Sequence, residues 1–512
     1  MIFRKQNISL VLLTGLLLLF NLNCKNNTRP NLSEKDKLII SYIGDERIFH
    51  QDYWGMEATY WVFLPLVANV GDEYGEIRPV LAESWTHSDD YRDWTVQLRK
   101  DIYWHDGTQM TARDIKFTID LKNKMVGFEK TLSCELIDDF SFRLTSLKPI
   151  SNLPTWEVYY PKHLLENQDP EMYYDWDFWK KPVGNGPYKF VRNIPKTMVE
   201  VEANPEYFGP APKIKKAILK FSNEPALQEL ISGNVDVLTY VPRDFLFKIE
   251  RDDRFTSYHW WGGWVESILW NHNNTLFEEP LIRKALTMAI NREELLKVLN
   301  YPDDVPITDV LSTRSQRQRA ELPEALKFDP QKAKQILAES GWEDTDNDGI
   351  LEKGGVDFSF TITTPKHNNL MATYIQNNLS NIGVNMEIET IEANIIRQKL
   401  NKNQFEAILE RFPNKENAIS RIRNYFDENS TIGYENRKLD SLLRLIELTG
   451  DKKEINRLYG QLMPIFKQDL PITLLVPQVQ THIVRKNIKG LSNLYRADPV
   501  WFMPFLWIDN KE

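Results

Sequence analysis

The chain has 512 residues, of which 42% are hydrophobic and 26% are charged, and its formal net charge is −9 at pH 7. A chain of this length exceeds one ordinary domain and buries a large core without needing disulfides or a metal. The mild excess of acidic residues lacks the basic footprint of a nucleic-acid-binding protein, so nucleic acid is disfavoured as a partner.

The N-terminus has the pattern of an export signal. Arg4 and Lys5 precede an apolar run over residues 8–20. This run is shorter than the roughly 20 residues with which a helix spans a bilayer. A short basic region followed by such a run is typical of a secretory signal peptide. We therefore expect residues 1–23 to be removed from the mature protein.

Local patterns in the first half of the chain predict several strands and helices. The apolar residues 38–43 predict a strand, and the apolar and aromatic residues 54–70 predict a helix. Residues 94–98 alternate as a strand does. Thr111, followed by Asp114, forms a capping box that begins a helix.

Helix starts are equally well marked in the second half. Asn291 and Asp451 each precede a helical pattern with a glutamate three residues later, and Asp329 precedes a proline at the first helical position. Residues 358–364 and 384–391 read as strands between these helices. Strands that alternate with helices predict an α/β protein.

The sequence carries no motif of a known catalytic chemistry. The eight histidines do not pair at metal-ligand spacing, and HExxH, CxxC, Walker A and GxSxG motifs are absent. The run Gly184-Asn185-Gly186-Pro187 imitates a glycine-rich loop, but the proline breaks the dinucleotide-binding pattern. We therefore expect no catalytic residue, no metal and no cofactor, although catalytic groups can also converge from distant positions.

One segment has partial metal-site character. Residues 344–349 (DTDNDG) match the first half of an EF-hand calcium loop, with oxygen ligands at alternate positions. The bidentate glutamate of such a loop would fall on Gly355. A solvated polar turn is therefore the favoured interpretation, and calcium binding stays open.

A set of short segments occurs in a characteristic order. They are IRPVLAESW (77–85), WHDG (104–107), GNGPY (184–188), NPEYF (204–208), LISGNVD (230–236), IRKAL (282–286), residues 328–342 and DLP (469–471). Together they resemble the bacterial extracellular solute-binding proteins of family 5, which are the oligopeptide-, dipeptide- and nickel-binding components of ABC importers. The resemblance covers essentially residues 36–505, although Asn185 stands where the family usually has threonine.

The resemblance implies an α/β fold of the type II periplasmic-binding-protein class, a two-lobed clamshell with an inserted third domain. Lobe I would combine residues 36–78, 183–269 and 489–512. The inserted domain would be residues 79–182, and lobe II residues 270–488. The two lobes would close around a ligand, so the protein would bind rather than react, as a monomer.

The resemblance also bears on the end of the signal. Family members of the lipoprotein type carry an acylated cysteine there, and the junction FNLNC places Cys24 at that position. The junction departs from a usual lipobox, because Asn21 and Asn23 replace a leucine and a small residue. We expect Cys24 to be lipidated and residues 24–35 to be a tether. The protein would then be anchored to the membrane in the periplasm or at the cell surface; a soluble secreted protein is the alternative.

Two segments carry candidate ligand-binding residues. Residues 268–273 match the family's passage from lobe I to lobe II, so Trp270 and Asn271 are expected to line the cleft. The alternative is that Trp270 packs wholly within lobe I.

The second candidate segment departs from the family pattern. Peptide-binding members typically carry a Gly-Trp pair and then an aspartate that pairs with the peptide's ammonium group. Here Glu410 and Arg411 replace the pair, Phe412 follows, and Asn414 falls near the aspartate position. An amide cannot form that ion pair, so we expect a ligand other than a generic free-amino oligopeptide, or a peptide held by a modified clamp using Glu410 or Glu416. Arg411 could instead bind an acidic ligand, or Glu410 and Arg411 could simply bridge each other.

The predicted function is that of a substrate-binding lipoprotein of an ABC importer, which captures peptides or a related small solute. Its partners would be the permease and ATPase subunits and, through the lipid, the membrane. Oligosaccharide or metal-chelate binding on the same fold, a surface adhesin and an exported α/β hydrolase are the alternatives.

Overall fold

The structure is a computed structural model, and it describes residues 37–43, 59–69, 77–125, 131–154, 157–222, 226–239, 241, 246, 249, 251–302, 305–312, 322–414, 419–427, 429–490 and 506–509. The predicted signal peptide, Cys24 and the tether lie outside these residues. Within them, no helix combines the length and the hydropathy that a bilayer span requires.

The strands, in chain order, are β1 Lys37–Ile43, β2 Val67–Asn69, β3 Ile77–Pro79, β4 Ala82–His87, β5 Asp93–Leu98, β6 Leu132–Leu136, β7 Ser141–Ser146, β8 Tyr188–Ile194, β9 Met198–Ala203, β10 Lys216–Ser222, β11 Val237–Leu238, β12 Phe255–Trp270, β13 Glu352–Lys353, β14 Val356–Asp357, β15 Ser359–Thr364, β16 Asn385–Thr390, β17 Ala407–Pro413, β18 Ile472–Arg485, β19 Ile488–Lys489 and β20 Trp507–Ile508.

The α-helices are α1 Thr59–Val62, α2 Ala112–Lys124, α3 Lys162–Leu165, α4 Leu227–Ser232, α5 Pro280–Ala289, α6 Arg292–Val298, α7 Pro330–Glu339, α8 Asn369–Ser380, α9 Ala393–Asn401, α10 Ile419–Arg423, α11 Arg437–Glu447 and α12 Lys452–Asp469. Short 3₁₀ helices cover Pro170–Asp175, Asp177–Lys180 and Lys366–Asn368.

One mixed sheet of ten strands runs through the molecule, in the order β16-β15-β17-β12-β18-β11-β1-β10-β9-β8. At one end, β15 is parallel to β16 and β17; at the other, β1 is parallel to β10 and β11. The long central strands β12 and β18 are antiparallel to each other and to their outer neighbours. These two strands therefore connect both ends of the sheet.

Separate cores at the two ends of the sheet define two lobes. In the first lobe, β1, β9 and β10 share one continuous core with the antiparallel sheet β4-β5-β7-β6 and with α2. That four-stranded sheet and α2 form the inserted domain. A smaller core under α4 completes the first lobe and includes Phe255 and Ile483 of the central strands.

The second lobe has three layers. Helices α5 to α8 pack on one face of its sheet, around Ile268, Trp270 and Leu409. Helices α9 to α12 pack on the other face, around Val265, Leu269 and other apolar side chains. A parallel sheet covered on both faces is the usual arrangement of an α/β unit.

The glycine-rich run at residues 184–187 is a structural joint. The N–H groups of Asn185 and Gly186 both donate to the carbonyl oxygen of Val62, at 2.9 and 2.8 Å. A Cβ atom on Gly184 would lie 1.9 Å from the same oxygen, so no larger residue fits there. The run holds α1 against the segment that returns from the inserted domain. Close packing against Val62 therefore accounts for Gly184, without a role in phosphate binding.

The local predictions of helix starts are confirmed. The Thr111 hydroxyl oxygen accepts from Arg113 N, and Thr111 N donates to the Asp114 carboxylate at 2.8 Å, which completes the capping box of α2. Asn291, Asp329 and Asp451 cap the helices that follow them.

The prediction of a helix over residues 54–70 is wrong in its second part. Only Thr59–Val62 is helical, and Val67–Asn69 is a strand that pairs with Ile77–Pro79; residues 54–58 lie outside the described range. An apolar segment without clear periodicity is compatible with a helix or a strand. Here residues 67–69 form a strand because they pair with residues 77–79.

Cys134 lies in β6 as a free, buried thiol, 4% exposed. Burial raises the pKa of this thiol to about 12. It packs in the first core as a small apolar side chain does.

A buried ion pair ties α6 to the sheet of the second lobe. Arg292 Nη1 lies 2.5 Å from Asp309 Oδ1, and the two side chains are 3% and 1% exposed. Arg292 also donates to the carbonyl oxygens of Leu474 and Leu326, while Asp309 accepts from Leu326 N. Both charges are therefore paired with each other and hydrogen-bonded to the backbone, which is the condition under which buried charges are tolerated.

We expect Arg292→Met to lower the free energy of unfolding of the second lobe by roughly 3–5 kcal/mol, because it leaves Asp309 charged, buried and unpaired. Calorimetric melting measures this loss. The matched control is Lys297→Met on the same helix, which removes an exposed ion pair with Glu294 and should change stability by at most about 1 kcal/mol. Equal melting of the two variants would contradict the assigned role of the buried pair.

Candidate functional site

The candidate site lies where the parallel strands of the second lobe end. Because β15, β16 and β17 are parallel, their carboxyl ends meet at one edge of the sheet. In open α/β sheets, ligands bind in the crevice outside the carboxyl ends of the strands. The antiparallel neighbour β12 reaches this edge at Trp264, which pairs with Pro413 at the end of β17.

From the same edge the central strands continue into the first lobe, and their pairing is irregular there. Trp261 pairs with Val479 and Val265 with Pro477, so three residues of β12 (262–264) face one residue of β18 (478). A second shift follows, because Glu266 pairs with Val476 and Ser267 with Leu474. Bulges of this kind bend a strand and re-aim its side chains. The two lobes are thus joined by strands that bend beside the carboxyl edge.

Two predicted site residues, Glu410 and Arg411, lie at this edge on β17. Glu410 pairs with Ser267 and Arg411 with Glu266 across β12. Since successive strand residues point to opposite faces, Glu410 points to the α9–α12 face and Arg411 to the α5–α8 face. No ion pair joins these two residues, so the idea that they simply bridge each other is not supported.

Glu410 is a half-buried carboxylate. Among the described residues it has no hydrogen-bond partner within bonding distance. Burial raises the pKa of Glu410, while the nearby charges of Arg411 and Arg397 partly offset this rise. On the same face, the pKa of the Tyr425 phenol is raised to about 12, first by burial and then by Glu410. The fold thus keeps a carboxylate poorly solvated at the edge of the sheet.

The opposite face holds a buried polar group that sequence reasoning missed. Glu266, 2% exposed, accepts a hydrogen bond from Asn368 Nδ2 at 3.2 Å. Its register partner on this face is Arg411, and directly opposed side chains of an antiparallel pair lie close together. The available signal was a glutamate inside the apolar run of residues 265–270, since ionisable residues are rarely buried without a partner.

Two other predicted residues, Phe412 and Asn414, lie in the interior. Phe412 is fully buried, with its ring centroid 5.0 Å from that of Tyr425. Asn414, 1% exposed, accepts from Ser312 N at 3.0 Å and donates to the carbonyl oxygen of Val310. These placements do not support direct ligand contact by either side chain. Glu416 lies outside the described residues.

Trp270 and Asn271 are likewise structural in this arrangement. Trp270 is fully buried; its indole N–H donates to Thr473 Oγ1 at 3.0 Å, and its ring lies 4.8 Å from that of Phe277. Asn271 donates to the carbonyl oxygen of Phe405 at 2.6 Å. The structure therefore does not support a cleft-lining role. The neighbours of Trp270 belong to the core packed under α5 to α8.

A further group near the bulge was missed by sequence reasoning. The side-chain oxygen of Gln480, on β18, is buried and has no hydrogen-bond partner among the described residues. Gln480 pairs with Trp260 on the first-lobe side of the irregular pairing. A buried acceptor without a donor loses the hydrogen bonds that water would supply, which is unfavourable.

The EF-hand-like segment forms an exposed turn that leads into the β13–β14 hairpin. Oxygen atoms of Asp344, Asp346 and Asp348 lie within 4.8 Å of one another, and all three side chains are exposed. Asp344 accepts a hydrogen bond from Gly349 N within the same turn. The cluster precedes the amino end of β15 and therefore lies apart from the carboxyl edge.

Comparisons with known proteins also indicate a solute-binding protein. A family model described as "Bacterial extracellular solute-binding proteins, family 5 Middle" matches residues 76–426. The chain belongs to this family. The oligopeptide-binding protein AppA of Bacillus subtilis (strain 168) is 26% identical to this solute-binding protein over an alignment that covers 97% of this chain and 99% of AppA.

Solved structures establish the fold of this solute-binding protein. AppA from Bacillus subtilis in complex with a nonapeptide aligns with a TM-score of 0.67 and 23% identity, covering 92% of this chain and 98% of that one. NikZ from Campylobacter jejuni in complex with Ni(L-His) aligns with a TM-score of 0.71 and 24% identity, covering 92% and 99%. The fold is thus the two-lobed α/β clamshell with an inserted domain, as the sequence resemblance implied.

The ionisation of Glu410 leads to a prediction about stability. A raised pKa in the folded state means that Glu410 favours folding most at a pH below its ordinary value of 4.5 and that this contribution is lost as the pH rises through the folded value. We therefore expect Glu410→Gln to be more stable than the parent at pH 7, with the difference disappearing below pH 4.5. Thermal melting at pH 7 and pH 4 measures it.

The control for this prediction is Glu387→Gln, which makes the same change at an exposed position of β16. Because that side chain is solvated, its replacement should alter melting little at either pH. A Glu410→Gln variant that is less stable than the parent at pH 7 would show that the carboxylate is well accommodated after all.

Proposed function

We propose that this protein is the extracellular receptor of an ABC importer, which captures a peptide or a related small solute between its lobes and delivers it to a permease. One observation carries the proposal: two lobes with separate cores are joined by paired strands that bend beside a polar carboxyl edge. Such a joint permits closure around a ligand, and contacts to both lobes stabilise the closed form. Permease and ATPase subunits are the implied partners, and the protein acts as a monomer.

The boundaries of the domains are part of this proposal. Residues 36–78, 183–269 and 489–512 form lobe I, residues 79–182 the inserted domain and residues 270–488 lobe II. Support comes from the sheet order, in which β12 enters from the first lobe and β18 returns to it, and from the way the cores divide.

Glu410 is the residue we propose to contact the ligand directly. Arg411 lies opposite the buried Glu266 in the strand register and points to the other face of the sheet. Glu410 faces an uncharged serine across the pair and has no hydrogen bond among the described residues. A half-buried carboxylate without a donor favours a ligand that brings a cationic donor, such as an ammonium group.

This proposal selects among the ligand classes. AppA is named for oligopeptides and was solved with a nonapeptide, and NikZ was solved with Ni(L-His). Because Asn414 is neutral and already bonded internally, a peptide ammonium group would be held by Glu410 instead. The ligand is therefore a peptide or peptide-like solute bound by a modified clamp; an oligosaccharide or a metal chelate without a cationic donor fits less well.

Native mass spectrometry of the protein, purified without denaturation from its own cells, tests the ligand class. We expect a co-purified solute that carries an amino group. Its affinity, measured by calorimetry, should fall about 10–100-fold in Glu410→Gln, the effect of losing a hydrogen bond to a charged group. The Glu387→Gln control should bind as the parent does. An amine-free solute, or unchanged binding by Glu410→Gln, would refute the proposed contact.

The alternative of an exported α/β hydrolase predicts a different result. A hydrolase would release products from a peptide or an ester over many turnovers, whereas a receptor binds one solute per chain. Sustained turnover by the purified protein would therefore replace the proposed function with an enzymatic one.

Cys24 is the proposed membrane anchor, cleaved free of residues 1–23 and acylated. The intact mass of the mature protein should exceed the mass calculated from residue 24 by that of the acyl groups. Cys24→Ser should lose this increment and leave the membrane fraction, because a serine cannot carry the thioether lipid. A mature N-terminus other than residue 24, without lipid, would contradict the anchor.

A further inference from the structure

A second contact joins the two lobes, outside the central strands. It lies between the inserted domain and the turn that connects α11 to α12. Lys148 Nζ lies 2.5 Å from Glu447 Oε1. Tyr91 packs directly on Gly450, so that a Cβ atom added to Gly450 would lie 2.2 Å from Tyr91 Cβ. The two surfaces are therefore in close contact, and nothing larger than glycine fits between them.

A hydrogen bond extends the same contact. With its amide oxygen turned toward the second lobe, Asn152 accepts from Lys452 Nζ at 3.2 Å and donates to the carbonyl oxygen of Ser151. This orientation satisfies both ends of the amide, which is how such a group is assigned. Three neighbouring pairs thus connect the inserted domain to the second lobe.

The inserted-domain side of this contact is firmly held. Tyr91 has a φ of 57°, in the left-handed region. Its carbonyl oxygen accepts from Trp94 Nε1 at 3.2 Å and from Ile150 N at 3.0 Å. The ring of His87 stacks on that of Tyr91, with centroids 4.2 Å apart. The turn at Tyr91 therefore moves with the four-stranded sheet and the first core.

The second-lobe side is held equally well. Glu447 is the last residue of α11; its side chain is only 8% exposed and also accepts from Arg423 Nη1 at 2.5 Å. Asp451 caps α12 by accepting from Lys453 N. The turn between these helices therefore moves with the second core.

We propose that the contact of Tyr91, Lys148 and Asn152 with Gly450, Glu447 and Lys452 is a latch that holds the lobes closed before any ligand arrives. Each side is fixed to a different core, so a rotation about the central strands that parts the inserted domain from the second lobe breaks all three pairs. Any closed population present without ligand raises the apparent affinity, because the ligand then has less closure to drive.

The composition of the latch makes it reversible. Its ion pair includes an exposed lysine, whose side chain is 61% exposed, and such pairs contribute little and weaken with salt. The latch can therefore bias the closed form while still allowing it to open. Its weakness suits a receptor that must also release its solute.

Gly450→Ala is the sharpest test. The φ of Gly450 lies outside the left-handed region, so alanine is acceptable to the backbone and its effect is steric, against Tyr91. Small-angle X-ray scattering of the full chain, freed of solute by unfolding and refolding, reports the radius of gyration. We expect Gly450→Ala to have a larger radius than the parent. The matched control is Gly460→Ala in α12, where nothing lies within 4 Å of the added carbon, and its radius should be unchanged.

A second pair of variants tests the same latch without a steric change. Lys148→Glu places two like charges together on the exposed side and should also increase the radius. The parent should expand slightly as sodium chloride is raised toward 1 M, whereas Lys148→Ala should already show this slight expansion and respond less. If Gly450→Ala and Lys148→Glu are folded and keep the radius of the parent, the latch does not exist. These readouts need no ligand, so they are independent of the solute-binding proposal.

Discussion

The pairing of β12 with β18 is the constraint on which the rest of the structure depends. From Phe255 opposite Arg485 to Leu269 opposite Ile472, one ladder carries the sheet of the first lobe into that of the second. A hydrogen-bonded ladder resists stretching and sliding, so relative movement of the lobes concentrates where the ladder is irregular. The irregularities at residues 262–264 and at Leu475 lie beside the carboxyl edge. The irregular part of the β12–β18 pairing and the candidate site are therefore neighbours in the fold.

That proximity explains the polarity of the interior near the joint. A sheet that is buried on both faces normally carries apolar side chains. Here Glu266 on β12 and Glu410 on β17 occupy successive register positions and point to opposite faces. One is enclosed and bonded to Asn368, and the other is half-buried. Keeping such groups weakens the lobe in isolation, and this kind of local loss is characteristic of sites that are completed by a ligand.

Features that depend on residues close together in the sequence could be predicted, and features that depend on distant residues could not. Thr111, Asn291, Asp329 and Asp451 were recognisable as caps because a cap involves residues only three positions apart. The family fold was also within reach, because many short motifs occur in order along the chain. These features need no knowledge of which distant strands become neighbours.

The individual site residues were harder to predict, because their surroundings come from far along the chain. The buried Trp270 donates a hydrogen bond to Thr473, 203 residues away, and Asn414 accepts one from Ser312, 102 residues away. A position in an alignment cannot show whether such a partner already occupies the side chain. Strand alternation alone could have separated Glu410 from Arg411, since adjacent residues of a strand point to opposite faces.

The buried thiol of Cys134 has a consequence for the reactivity of the folded chain. The sequence contains one other cysteine, Cys24, near the N-terminus, and the thiol of Cys134 is enclosed in the first core with a pKa of about 12. Such a thiol holds almost no thiolate at neutral pH, and the thiolate is the species that exchanges with disulfides. The Cys134 thiol is therefore poorly reactive toward disulfides in the folded protein. No disulfide bond of Cys134 contributes to the folded first lobe.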